Sequence, residues 1–83
     1  REAQVRAECV TGPVTAVQGR GLLLGLRCKP PAAQVRDALL ERGILTGTSG
    51  DPHVLRLLPP LTIVERDIHF LASRLAELPA EID

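Results

Sequence analysis

VTAVQGRGLLLGLRC, residues 14–28, is the stretch that decides between a sheet and a helical bundle. Its first run, Val14 to Val17, is rich in β-branched residues, which suit a pleated, half-buried surface. Gln18-Gly19-Arg20-Gly21 then breaks the pattern and reads as a tight connection. Leu22 to Leu26 follows, apolar at almost every position. Such a run fits a strand covered on both faces, although periodicity alone leaves a helix open. Two runs joined through a glycine turn predict a β-hairpin.

Upstream, residues 1–9 favour helix by propensity, with a thin apolar face of Ala3, Val5, Ala7 and Val10. Residues 1–11 are expected to complete a helix begun upstream, and Gly12-Pro13 breaks it. Downstream, Pro30-Pro31 ends the hairpin and opens a helix, since proline is tolerated in a first helical turn. Ala32, Val35, Leu39 and Leu40 form its apolar face, with Arg36, Asp37, Glu41 and Arg42 opposite. Gly43 stands where a left-handed cap is expected. Ile44-Leu45-Thr46 predicts a short strand, residues 47–52 (GTSGDP) a loop, and His53 to Leu58 another strand. Thr62, three residues before Glu65, predicts a capping box, with Asp67 also favoured by the helix dipole. Val64, Ile68, Leu71, Leu75 and Leu78 then make one apolar stripe, which Pro79 stops. The sum is an α+β two-layer sandwich: a small, mostly antiparallel sheet of about four strands with two or three helices on one face.

Composition narrows the function classes. The 83 residues suffice for one small domain and one core. Apolar residues at 45% and charged residues at 24% are ordinary for a globular fold and exclude general disorder. The net charge is zero and the charges alternate, so no basic patch points to nucleic acid and no charged tail to a membrane. The single aromatic, Phe70, removes the stacking platforms of single-strand binders. No apolar segment approaches the ~20 residues of a membrane span. Cys9 and Cys28 lack CxxC or metal-ligand spacing and are expected as reduced thiols in a cytoplasmic protein. The chain opens at Arg1, contains no Met, and is expected to be a domain of a longer protein.

Catalytic groups are scarce. Thr48, Ser49, Asp51 and His53 crowd one loop, whereas triad members must converge from different elements, so this segment is expected to be loop chemistry. His69 is expected to be structural or solvated. Gly19-Arg20-Gly21 lacks the following helix that a phosphate loop requires. Arg56 stands apart. Strand alternation places it with Val54 and Leu58, opposite Leu55 and Leu57, and a guanidinium among leucines is costly unless paired. Either it reaches a sheet edge or a carboxylate of its own domain such as Asp51, or it awaits an anionic ligand that its fork matches bidentately. Pro59-Pro60 stiffens the backbone after it.

Three stretches, VQGRGLLLGLRC, AQVRDALLERGILTG and HVLRLLPPLTIVERDI, resemble the C-terminal small domain of class III, pyridoxal-phosphate-dependent aminotransferases. The nearest subgroup is acetylornithine and ornithine aminotransferase, and the resemblance covers residues 14–78. GRGLLLG (19–25) and LRLLPPLTI (55–63) are its most specific pieces. The resemblance implies that Arg56, in the R-x-x-PPL segment, binds a carboxylate of the amino-acid or 2-oxo-acid substrate. It also implies a large domain elsewhere in the same protein, holding the cofactor-linking lysine and the phosphate-binding groups, and a homodimeric parent. Lys29, the single lysine, matches no family lysine motif. No catalytic or metal-binding residue is therefore expected in these 83 residues, and the isolated chain is expected to be inactive and only modestly stable. Leu22 to Leu24 and the N-terminal segment are the expected contacts with the large domain. The expected parent activity is amino transfer from N-acetylornithine to 2-oxoglutarate in arginine biosynthesis. The competing readings are a freestanding ligand-binding module and a purely structural α+β domain.

Overall fold

The computed structural model describes residues 2–20, 23–58 and 65–81. Their elements run α1 (Glu2–Glu8), β1 (Val14–Gln18), β2 (Gly25–Cys28), α2 (Ala32–Glu41), β3 (Gly47–Thr48), β4 (Val54–Arg56) and α3 (Glu65–Ala76). Among the described residues the strands form one antiparallel sheet in the order β1-β2-β4-β3. The hairpin read from residues 14–28 is therefore present. Helix α2 separates it from the β3–β4 pair, and β4 returns to lie beside β2.

One core joins one sheet face to the helices. Val14, Val17, Leu26, Cys28, Leu55 and Leu57 meet Val5 of α1, Ala32, Val35 and Leu39 of α2, and Ile68, Leu71 and Leu75 of α3. This is the expected α+β two-layer arrangement. An antiparallel sheet covered on one side leaves its other face to water or to a partner.

The helix ends explain several boundaries. The first amide of α2 has no side-chain cap; Ala32 N–H donates instead to Pro52 O at 2.7 Å. At the other end, Gly43 at φ +83° turns the chain, as its position predicted. Gly43 N–H donates to Leu40 O at 3.0 Å and Ile44 N–H to Leu39 O at 3.0 Å, the paired bonds of a Schellman motif. Ile44 is thus occupied as part of the cap, its side chain buried with Leu39. This corrects the expected strand at 44–46: pairing starts at Gly47. Leu40, expected in the core, is instead 55% exposed, because only one of two adjacent helical residues faces the sheet.

Two further corrections concern the ends of the hairpin. β2 begins only at Gly25, and just ahead of it Leu23 N–H donates to Arg20 O at 3.0 Å. Leu23 is 74% exposed while Leu24 is buried, so no strand covered on both faces runs through them. In α1 Val5 is buried, with Cys9 one turn on just past the helix end, while Ala3, Ala7 and Val10 are exposed. The α3 stripe holds at Ile68, Leu71, Leu75 and Leu78, with Ala72 added. The expected capping residue Thr62, and Val64, lie outside the described residues.

Candidate functional site

The uncovered sheet face carries the site. Register pairs Gln18 with Gly25, Gly25 with Arg56, and Arg56 with Gly47. Side chains alternate along strands, so these four residues form one cross-strand row on the face opposite Leu26 and Leu55. Glycine stands on each side of Arg56. Gln18, Gly25 and Arg56 of this row, with Val54, line a depression of about 170 Å³, rimmed by Gly19, Leu23, Leu24 and Ser49.

Arg56 is exposed. The leucines beside it in sequence, Leu55 and Leu57, point into the core and do not surround its charge. The guanidinium is therefore not enclosed by leucines, and no desolvation demands an internal partner. Asp51 is also not that partner: its Oδ2 lies 3.0 Å from Arg27 Nη2. Among the described residues the Arg56 side chain makes no hydrogen bond or ion pair, which leaves the guanidinium donors to the depression and solvent.

Residues 49–53 connect β3 to β4 and are tied together by their own polar groups. The Ser49 hydroxyl lies 3.1 Å from Val54 O and 3.2 Å from Asp51 O, and accepts from Asp51 N–H at 3.2 Å. Asp51 Oδ1 accepts from His53 N–H at 2.9 Å. That bond and the Arg27 guanidinium hold the Asp51 carboxyl below its ordinary range. His53 Nδ1 faces Pro30 O at 3.2 Å and Cys28 O at 3.3 Å, two acceptors that require the proton on Nδ1. Ser49 and His53 do not meet, so no nucleophile–base pair forms. His69 is exposed, with Nδ1 3.0 Å from Glu8 Oε1.

The remaining chemistry-bearing residues lie elsewhere. Lys29 is exposed, with Nζ 2.8 Å from Glu81 Oε1. Cys9 and Cys28 are free and buried, and burial pushes their thiols up to about 12 and about 11. Among the described residues no group of His, Cys, Asp and Glu is arranged to hold a metal ion. None of the described helices is long and apolar enough to cross a membrane.

Sequence reasoning missed three contributors. Arg6, on α1, donates from Nη1 to Val17 O at 2.7 Å and from Nη2 to Gly19 O at 2.8 Å. It fastens the end of β1 and Gly19 at the rim of the depression, and nothing in its local sequence signals this. Gln18 and Gly25 emerge as neighbours of Arg56 only once the register is known. The QGRG break marked the loop but not the row behind it.

No family model matches the chain. Acetylornithine aminotransferase of Mesorhizobium japonicum is 42% identical over 62 residues, 75% of this chain and 15% of that protein. Acetylornithine aminotransferase of Bacillus subtilis is 38% identical over 74 residues, 89% of this chain and 19% of that protein. Among solved structures, ornithine aminotransferase of Toxoplasma gondii superposes with a TM-score of 0.67 at 25% identity, covering 90% of this chain and 20% of that one. The chain thus spans 15–19% of the length of those two curated relatives.

Proposed function

Since the chain is the counterpart of the C-terminal domain of acetylornithine- and ornithine-type aminotransferases, we propose that it forms one wall of an aminotransferase active site, with Arg56 as the substrate-carboxylate clamp. The observation that carries this reading is the cross-strand row: an exposed arginine without a partner among the described residues, set between two glycines over a depression. A planar guanidinium presents paired donors to a carboxylate, and a two-point grip sets the angle of the rest of the substrate. Glycine on both flanks leaves a substrate room to reach the fork. Strand β4 fixes the root of the side chain, because Leu55 and Leu57 anchor it in the core.

Pyridoxal phosphate, when bound, supplies the electron sink for amino transfer. The residues here do not fit a site for it: the single lysine is engaged with Glu81 and is not part of the depression. The cofactor then belongs to the large domain of the parent protein, and this domain contributes binding and orientation. The parent reaction in this reading is amino transfer from N-acetylornithine to 2-oxoglutarate, in arginine biosynthesis, by a cytoplasmic homodimer.

The test uses the full-length parent protein. Arg56→Ala is expected to raise KM for 2-oxoglutarate about 10- to 100-fold, the loss of hydrogen bonds to a charged group. N-acetylornithine, ornithine and 4-aminobutyrate compared as donors identify the substrate. Unchanged kinetics in Arg56→Ala would return that residue to a structural role.

A further inference from the structure

We propose that Gln18 is a second ligand-binding residue, gripping the same carboxylate-bearing ligand as Arg56 from the other side of Gly25. The inference rests on the reading of Arg56 given above and extends it to a residue on another strand. Gln18 and Arg56 both pair with Gly25, one from β1 and one from β4. Two strand spacings put their Cα atoms roughly 10 Å apart, a gap that two long side chains leaning towards each other close to the width of a carboxylate.

The lean of Gln18 is visible. A Cβ built on Gly25 would lie 3.7 Å from Gln18 Cγ, so this side chain stands over the glycine and not away from it. The same Cβ would lie 2.8 Å from Val54 Cγ1, so a larger residue at 25 would crowd the floor between the two head groups. Gln18 also lines the depression, and among the described residues its amide makes no hydrogen bond. The chemistry is complementary. Arg56 offers a charged fork, and the Gln18 NH₂ offers a neutral donor to a carboxylate oxygen, while its carbonyl accepts from an adjacent N–H or O–H of the ligand. A ligand with a carboxylate and a neighbouring donor group, as in an amino acid, satisfies both. The leucine rim at Leu23 and Leu24 supplies an apolar wall for the carbon chain.

The experiment is steady-state kinetics of the full-length protein with Gln18→Ala, Gln18→Glu and Arg56→Ala, each first checked for an unchanged far-ultraviolet spectrum and melting temperature. Gln18 is exposed on β1, so its replacement leaves the core untouched. Gln18→Ala is expected to raise KM for the carboxylate substrates roughly three- to tenfold, the loss of one hydrogen bond, with kcat within about twofold. Gln18→Glu is expected to raise KM at least about tenfold, because a carboxylate held over Gly25 repels the substrate and occupies Arg56. Added salt should lessen that defect. If Arg56→Ala raises KM while both Gln18 variants stay within about twofold of wild type, the Gln18 inference falls and the Arg56 reading stands. If Arg56→Ala leaves KM unchanged, both fall together.

Discussion

Arg27 and Arg56 lie on the same sheet face in adjacent strands, yet they have different fates. Arg27 is held by Asp51 at 3.0 Å, whereas Arg56 has no partner among the described residues. The sequence assigns Asp51 to Arg56 as readily as to Arg27, because the choice depends on which strand lies beside the turn. Alternation did predict correctly that Arg56 shares a face with Val54 and opposes Leu55 and Leu57. What alternation could not supply is that the far side of the sheet is uncovered, which changes the problem from a buried charge to a free one. The cysteines show a second residue-scale effect. Burial raises both thiols, Cys9 from 9.0 to about 12 and Cys28 from 9.0 to about 11. The folded state therefore keeps protons that the unfolded chain releases near pH 9. Stability is expected to fall as pH climbs from about 9 towards 11, since more protons are bound folded than unfolded there. Urea midpoints at pH 7.5 and pH 10 test this, and equal midpoints would refute it. Neither thiol should react with an aromatic disulfide reagent at pH 8 until denaturant is added.

At the scale of elements, Gly19 after β1 and Gly43 at the end of α2 show two different uses of positive φ. Gly43, at φ +83°, has no atom within 4 Å of a built Cβ, so Gly43→Ala meets only the left-handed backbone cost, about 1 kcal/mol. Gly19, at φ +90°, would drive its Cβ into Leu23 O. Gly19→Ala must then displace Leu23 at the rim of the depression as well, and is expected to destabilise more than Gly43→Ala and to raise substrate KM in the parent. Denaturant titration of the pair ranks them, and equal losses would show that the loop yields freely. Arg6→Ala is expected to have a similar though smaller kinetic effect, by releasing Val17 O and Gly19 O from its grip. The element types were legible: the three described helices and the hairpin follow from propensity, period and glycine or proline breaks. The boundaries were less so, for local reasons. Ile44 is drawn into the Schellman cap, which moves β3 to Gly47, and the closure of Leu23 on Arg20 delays β2 to Gly25.

At the scale of the whole molecule, zero net charge and exposed leucines act together. Leu23, Leu45 and Leu40 are 74%, 62% and 55% exposed. Charge neutrality was readable in the composition, but these exposures were not, because apolar residues flanking an element look the same whether they turn inward or outward. Of the stretch from Leu22 to Leu24 proposed to meet another domain, Leu23 is exposed, Leu24 is consumed by the core and Leu22 lies outside the described residues. A small domain with no net charge has little repulsion to oppose association through such side chains. The isolated 83-residue chain is accordingly expected to self-associate most strongly near its isoelectric pH of about 6.9 and less well below it, where it carries a net positive charge. Leu23→Glu adds charge and removes the most exposed leucine, and should suppress association more than Leu40→Glu if the rim of the depression is the sticky surface. Light scattering against pH and concentration distinguishes these cases. Equal suppression by the two variants would assign the effect to charge alone, and a monomer at every pH would show that the exposed leucines are too dispersed to act as one surface.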